Sequence, residues 1–130
     1  MNKYDVIIKN GNIVSEDSIQ KGDIGILNGK IVEVSSKIEE LATANEVINA
    51  EGLYILPGLI DIHVHFNEPG RVDWEGFYTG SRSLAAGGVT TFFDMPLNSD
   101  PPLIYPDLFK VKKELAQEKS IIDFDRKSVV

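Results

Sequence analysis

The chain has 130 residues, 42% of them hydrophobic, and its 20 acidic against 13 basic side chains give a formal net charge of -7. That length suits one globular domain or part of one, and the acidic balance without a lysine or arginine cluster argues against nucleic acid and membrane as partners. Cysteine is absent, which excludes disulfides and thiolate chemistry; with no apolar signal core after Met1 and no run of about 18 apolar residues, the expected location is cytoplasmic.

Residues 6–14 and 24–34 each place Asn-Gly between β-branched runs, at Asn10-Gly11 and Asn28-Gly29. Each predicts a hairpin, because a type I′ turn needs positive φ at both central residues. A further strand is predicted at 46–50, before the turn Glu51-Gly52. Residues 1–56 are therefore expected to form a small all-β subdomain of β-sandwich type with a structural role.

From Pro57 the pattern changes to strand, helix, strand, helix, strand. The run 58–70 contains Asp61 and the chain's only two histidines, His63 and His65. Alternate side chains of a strand share a face, so Asp61, His63 and His65 point one way and Ile60, Ile62, Val64 and Phe66 the other, which is expected to be buried. Two imidazoles one residue apart have α-carbons about 6.6 Å apart and converge on one cation, which makes His63 and His65 candidate metal ligands. Pro57-Gly58 and Pro69-Gly70 bracket the strand as turns. Asp73 is placed to cap a helix whose apolar positions Trp74, Phe77, Tyr78 and Leu84 pack into the core, and Gly87-Gly88 ends it. A strand follows at 89–95, then a loop through Asn98 and Pro101-Pro102. The second helix starts near Pro106, with Leu108, Val111 and Leu115 on its apolar side and Lys112, Lys113 and Glu118 on a solvated face. The stretch 120–124 reads as a third strand.

Strands alternating with helices imply a parallel α/β sheet, and in a barrel of such units the active site sits at the C-terminal strand ends, where His63, His65 and Asn98 fall. A dinucleotide-binding sheet is the competing architecture, but no Gly-rich phosphate loop follows the first strand.

The run Gly58-Leu59-Ile60-Asp61-Ile62-His63-Val64-His65, the segment Phe66-Asn67-Glu68-Pro69-Gly70-Arg71, the run Ala85-Ala86-Gly87-Gly88-Val89-Thr90-Thr91 and the run Asp94-Met95-Pro96-Leu97-Asn98-Ser99 together resemble the cyclic amidohydrolases of the dihydroorotase and hydantoinase superfamily. Within it the likeness is to the amino-terminal part of the allantoinases, over about residues 4–124. The resemblance implies a metal-dependent-hydrolase TIM barrel, of which residues 57–124 supply the first three strands and two helices. It implies His63 and His65 as ligands in a two-metal centre, with Asp61 supporting them from the same strand. The metals would be two zinc ions, with cobalt, iron, nickel or manganese as alternatives, because imidazole suits several of these. The implied reaction is hydrolysis of a small cyclic ureide, allantoin to allantoate, by a complete enzyme that is a homo-oligomer.

Asn67 carries the substrate expectation. It stands where dihydroorotases resemble one another in carrying an arginine for a substrate carboxylate, and an amide suits a neutral ureido group instead. Asn98 resembles the family's other substrate-side asparagine, beside the reading that it is a turn residue. Glu68 and Arg71 either orient this loop or touch substrate. The family's carboxylated lysine, further histidines and general base come from later strands, so no catalytic base is expected within these residues. Residues 125–130 depart from the family pattern and are expected to be an aberrant tail, as a truncation or frameshift near Phe124 would leave. The alternative is an inactive binding or assembly module; dihydropyrimidinase or dihydroorotase activity ranks behind allantoin hydrolysis.

Overall fold

A computed structural model describes residues 3–126. The chain divides into two compact units, Met1–Pro57 and Gly58–Val130.

The first unit is built on a mixed five-stranded sheet. Its strands are β1 (Lys3–Val14), β2 (Ile19–Leu27), β3 (Lys30–Ser35), β4 (Thr43–Asn49) and β5 (Tyr54–Ile55). They run in the order β3-β2-β1-β4, with β5 also paired to β1. Asn28 and Gly29 both take positive φ, 52° and 70°, and make the expected β2-β3 hairpin. The hairpin expected at Asn10-Gly11 does not form. β1 runs straight through both residues, and its register with β2 shifts between Ile8 and Gly11, so the Asn-Gly pair makes a bulge instead. Asn10 alone of the two turns to positive φ, 63°, and its N–H bonds to Asp23 Oδ1 at 2.9 Å. Gly11 is needed because a β-carbon there would collide with the Ile55 side chain. Along the other edge of β1, β4 and β5 run parallel to it in tandem, pairing on either side of the bulge. Among the described residues the unit holds this one sheet, where a sandwich-type arrangement was expected. Its small core is Tyr4, Ile7 and Ile38.

The second unit contains β6 (Leu59–Val64), α1 (Phe77–Ala86), β7 (Val89–Asp94), α2 (Pro106–Lys119) and β8 (Asp123–Arg126). The strands form a parallel sheet in the order β6-β7-β8. Its core is Phe66, Phe77, Phe92 and Ala116, with Val64, Leu84, Leu115, Ile122 and Phe124 packed against it. The Phe66 ring meets Phe77 and Phe92 edge-on, at centroid distances of 5.3 and 4.9 Å, a favoured aromatic geometry.

Several expectations are corrected here. α1 starts at Phe77 with Gly76 as N-cap and no side-chain cap, so Asp73 does not cap it. Trp74 and Tyr78 are exposed and lie under Arg71 and Arg82 instead of in the core. Of the apolar row of β6, Ile60 and Ile62 are exposed, Val64 is half-buried, and only Phe66, just past the strand, is buried. Lys112, expected on the solvated face, is buried, and Val111, expected on the apolar side, is exposed. Asp125 and Arg126, assigned to an aberrant tail, pair in β8 with Phe93 and Asp94 of β7; 127–130 lie outside the described residues. No helix among the described residues is long and apolar enough to cross a membrane.

Candidate metal centre

β6 pairs with β7 as far as Val64 opposite Asp94, which puts His63 inside the ladder and His65 one residue beyond its end. Because the backbone repeats every two residues, the two rings project together, and their Nε2 atoms lie 3.2 Å apart. The ring centroids are 5.1 Å apart and the planes cross at 61°. Two imidazole nitrogens about 2.05 Å from one zinc ion at a tetrahedral angle are about 3.3 Å apart. The pair therefore fits two corners of a four-coordinate centre. Among the described residues no group of three or more His, Cys, Asp or Glu side chains completes it. His65 Nδ1 is buried without a hydrogen-bond partner among the described residues.

Asp61 does not reach the rings with its bonded oxygen: Oδ1 accepts the backbone N–H of His63 at 3.0 Å. It thereby fixes the peptide that carries the first imidazole. Asn67 is 6% exposed, and its side-chain oxygen is buried with no partner among the described residues. Its backbone is held at both ends, the N–H by Glu75 O at 2.8 Å and the carbonyl by Arg71 N at 3.1 Å. Asn98 is exposed in the loop after β7. The structure thus brings His63 and His65 together, and leaves Asn98 without a hydrogen bond to either among the described residues.

Around Phe66, the residue after His65, lies a polar network whose pairings the sequence did not reveal. Asp94 Oδ1 accepts the N–H of Phe66 at 2.8 Å, and Oδ2 pairs with Lys112 Nζ at 3.0 Å. Lys112 Nζ also donates to Phe66 O and, at 3.3 Å, to Ser99 Oγ. Glu68 accepts the N–H of Phe77, the first residue of α1, at 3.1 Å through Oε1, and pairs with Lys119 at 2.5 Å through Oε2. A signal for the lysines was present in spacing: Leu108, Lys112, Ala116 and Lys119 recur at helical intervals, so both lysines fall on the buried stripe. A cavity of about 320 Å³ opens beside this network, lined by Asp94 and Lys112 with Phe77, Pro96, Phe109 and Phe124, and includes neither histidine.

The amidohydrolase family model matches residues 54–122, more than half of the chain and all of β6 to α2. The chain belongs to the amidohydrolase family. It is 46% identical over 121 residues to an allantoinase of Bacillus velezensis, an alignment covering 93% of this chain and 26% of that protein. The allantoinase of Deinococcus radiodurans is also 46% identical over 121 residues, with 92% and 26% covered. Among solved structures, the L-hydantoinase (dihydropyrimidinase) of Arthrobacter aurescens superimposes with a TM-score of 0.84 at 34% identity, covering 95% of this chain and 27% of that one. The amidohydrolase chain described here therefore spans about a quarter of the length of the relatives it matches.

Proposed function

We propose that these residues form the amino-terminal part of the site of a metal-dependent cyclic amidohydrolase that opens allantoin to allantoate. The observation that carries this reading is the 3.2 Å approach of the two Nε2 atoms, at the separation one tetrahedral ion requires. His63 and His65 would hold a divalent ion, zinc or another that accepts imidazole, and residues outside this chain's span would complete its ligands and supply the general base. When bound, such an ion supplies Lewis acidity, acidifying water and polarising the scissile amide.

The chain's own residues bind and orient. Asp61 fixes the His63 peptide. Asn67 offers a buried, unpartnered carbonyl oxygen, which suits the N–H of a neutral ureido group; Asn98, exposed in the neighbouring loop, is proposed on the substrate side as well. A neutral amide facing a neutral ring avoids burying an unmatched charge. The allantoinase relatives favour allantoin, and the hydantoinase likeness supports hydantoin or dihydropyrimidine as the competing substrate. The complete enzyme is proposed to be a cytoplasmic homo-oligomer.

The test is an assay of a barrel-length polypeptide carrying these residues, with allantoin, hydantoin and dihydrouracil offered side by side. Allantoin should give the highest kcat/KM, and Asn67→Arg should lower it at least about 100-fold, because an unpaired buried cation costs several kcal/mol. An unchanged kcat/KM would remove Asn67 from the pocket. The 130-residue chain alone should show no turnover with added zinc, cobalt or manganese; turnover within about tenfold of the longer polypeptide, roughly 1.4 kcal/mol, would contradict the reading.

A further inference from the structure

We propose that the buried Asp94–Lys112 pair is a positioning device for His65 and Asn67, acting through the peptide groups of Phe66 between them. Its functional meaning rests on the metal-site reading above; its geometry does not.

The β6-β7 ladder ends at Val64, whose carbonyl accepts Met95 N–H at 2.8 Å. One residue later comes His65, beyond the reach of strand pairing. Side chains take over where the sheet stops. Asp94 Oδ1 receives the Phe66 N–H at 2.8 Å, and Lys112 Nζ donates to the Phe66 carbonyl. The Phe66 ring, 4% exposed, is wedged between Phe77 and Phe92. Both peptide groups and the side chain of Phe66 are thus held, and His65 and Asn67 are its two covalent neighbours.

The pair is costly for a merely structural element. Its side chains are 5% and 6% exposed, and a buried ion pair often contributes no more stability than apolar residues of the same volume. What apolar residues could not supply is a directed acceptor and a directed donor on either side of one residue. The ammonium donates to Phe66 O and Ser99 Oγ and forms an ion pair with Asp94 Oδ2 at 3.0 Å, an oxygen that receives no hydrogen bond among the described residues. Ser99 Oγ in turn donates to Glu68 O at 3.1 Å, which extends the same hold one residue past Asn67.

The experiment compares the 130-residue chain with Lys112→Met, Asp94→Asn and a control, Leu115→Ala, which loosens the same core without touching the Phe66 peptide. Three quantities are read by NMR: exchange of the Phe66 amide relative to that of Phe92, the contact between the His63 and His65 Hε1 protons, and the shift of those protons on titration with zinc chloride. In Lys112→Met the relative exchange should rise about tenfold, the His–His contact should weaken, and the zinc dissociation constant should rise about tenfold. Asp94→Asn, which keeps an oxygen toward Phe66 N–H, should move all three the same way by less, and it carries the test if Lys112→Met does not fold. In Leu115→Ala the relative exchange, the contact and the zinc constant should stay within about twofold. The proposal is overturned if either clamp variant keeps all three at parent values, or if Leu115→Ala changes them as much. Should the parent chain show no zinc shift at either histidine, the metal reading fails, while the exchange and the His–His contact still decide the clamp.

Discussion

Glu68 joins three parts of the second unit with a single carboxylate. It is 3% exposed, takes the first N–H of α1, and pairs with Lys119 in the last turn of α2. Because α1 lacks a side-chain cap of its own, this carboxylate does the work of one from eight residues upstream of Gly76. Glu68→Ala should lower unfolding stability by about 3 kcal/mol, since it leaves a buried N–H and a half-buried ammonium without partners. Glu68→Gln, which retains an oxygen for Phe77 N–H, should cost about 1 kcal/mol. Urea unfolding of the two variants checks the ordering; equal losses would mean the carboxylate is only filling space. At this scale the histidines were legible because a two-residue backbone period forces their side chains together whatever surrounds them. Lys112 was obscured by its charge, which reads as solvated until a partner at a distance in sequence is known; Glu68 was expected to orient its loop or touch substrate, and its partners on α1 and α2 had no local signal. Asp73 was misread for a related reason: an aspartate before a helical pattern is a good cap only if the helix begins there.

Among the elements, β1 shows how one dipeptide supports two outcomes. Asn28-Gly29 turns the chain, with both residues at positive φ, whereas Asn10-Gly11 only bulges it. The difference lies in what the flanking residues meet. Both halves of β1 find partners in β2, and Asp23 takes the N–H that the bulge frees. No local signal carries that information. α1 offers a sharper case at Gly80. By helix propensity Gly80→Ala should stabilise by about 1 kcal/mol. A β-carbon there would instead press into the Phe66 ring, with Cζ at 2.7 Å, so overpacking should give a net loss of about 1–3 kcal/mol. Thermal unfolding decides between them, and a raised Tm would show that the ring yields easily. That β6, β7 and β8 pair in parallel was readable from the alternation of strands and helices, while the depth of α2 required the register of its lysines.

For the molecule as a whole, β6 lies at an edge of its three-stranded sheet and exposes Leu59, Ile60 and Ile62. Ile60 and Ile62 share one face of the strand, and exposed apolar side chains grouped in this way bind hydrophobic dyes. The folded 130-residue chain should therefore enhance the fluorescence of anilinonaphthalene sulfonate, and the double change Ile60→Ser with Ile62→Ser should reduce that signal by about half. No reduction would place the dye elsewhere. The strict alternation of Ile60, Ile62 and Val64 led to an expectation of burial, and it holds only where Phe77, Phe92 and α2 are there to cover it.

The network around Phe66 and Glu68 also limits how this chain can be recombined with its relatives. Lys112 and Lys119 reach back to Phe66 and Glu68 across 46 and 51 positions. Helix α2 is therefore no exchangeable module. A chimera joined between Ser99 and Pro106 inherits the loop from one parent and its two ammonium anchors from the other, whereas a junction after Lys119 passes on both ends of each bond together.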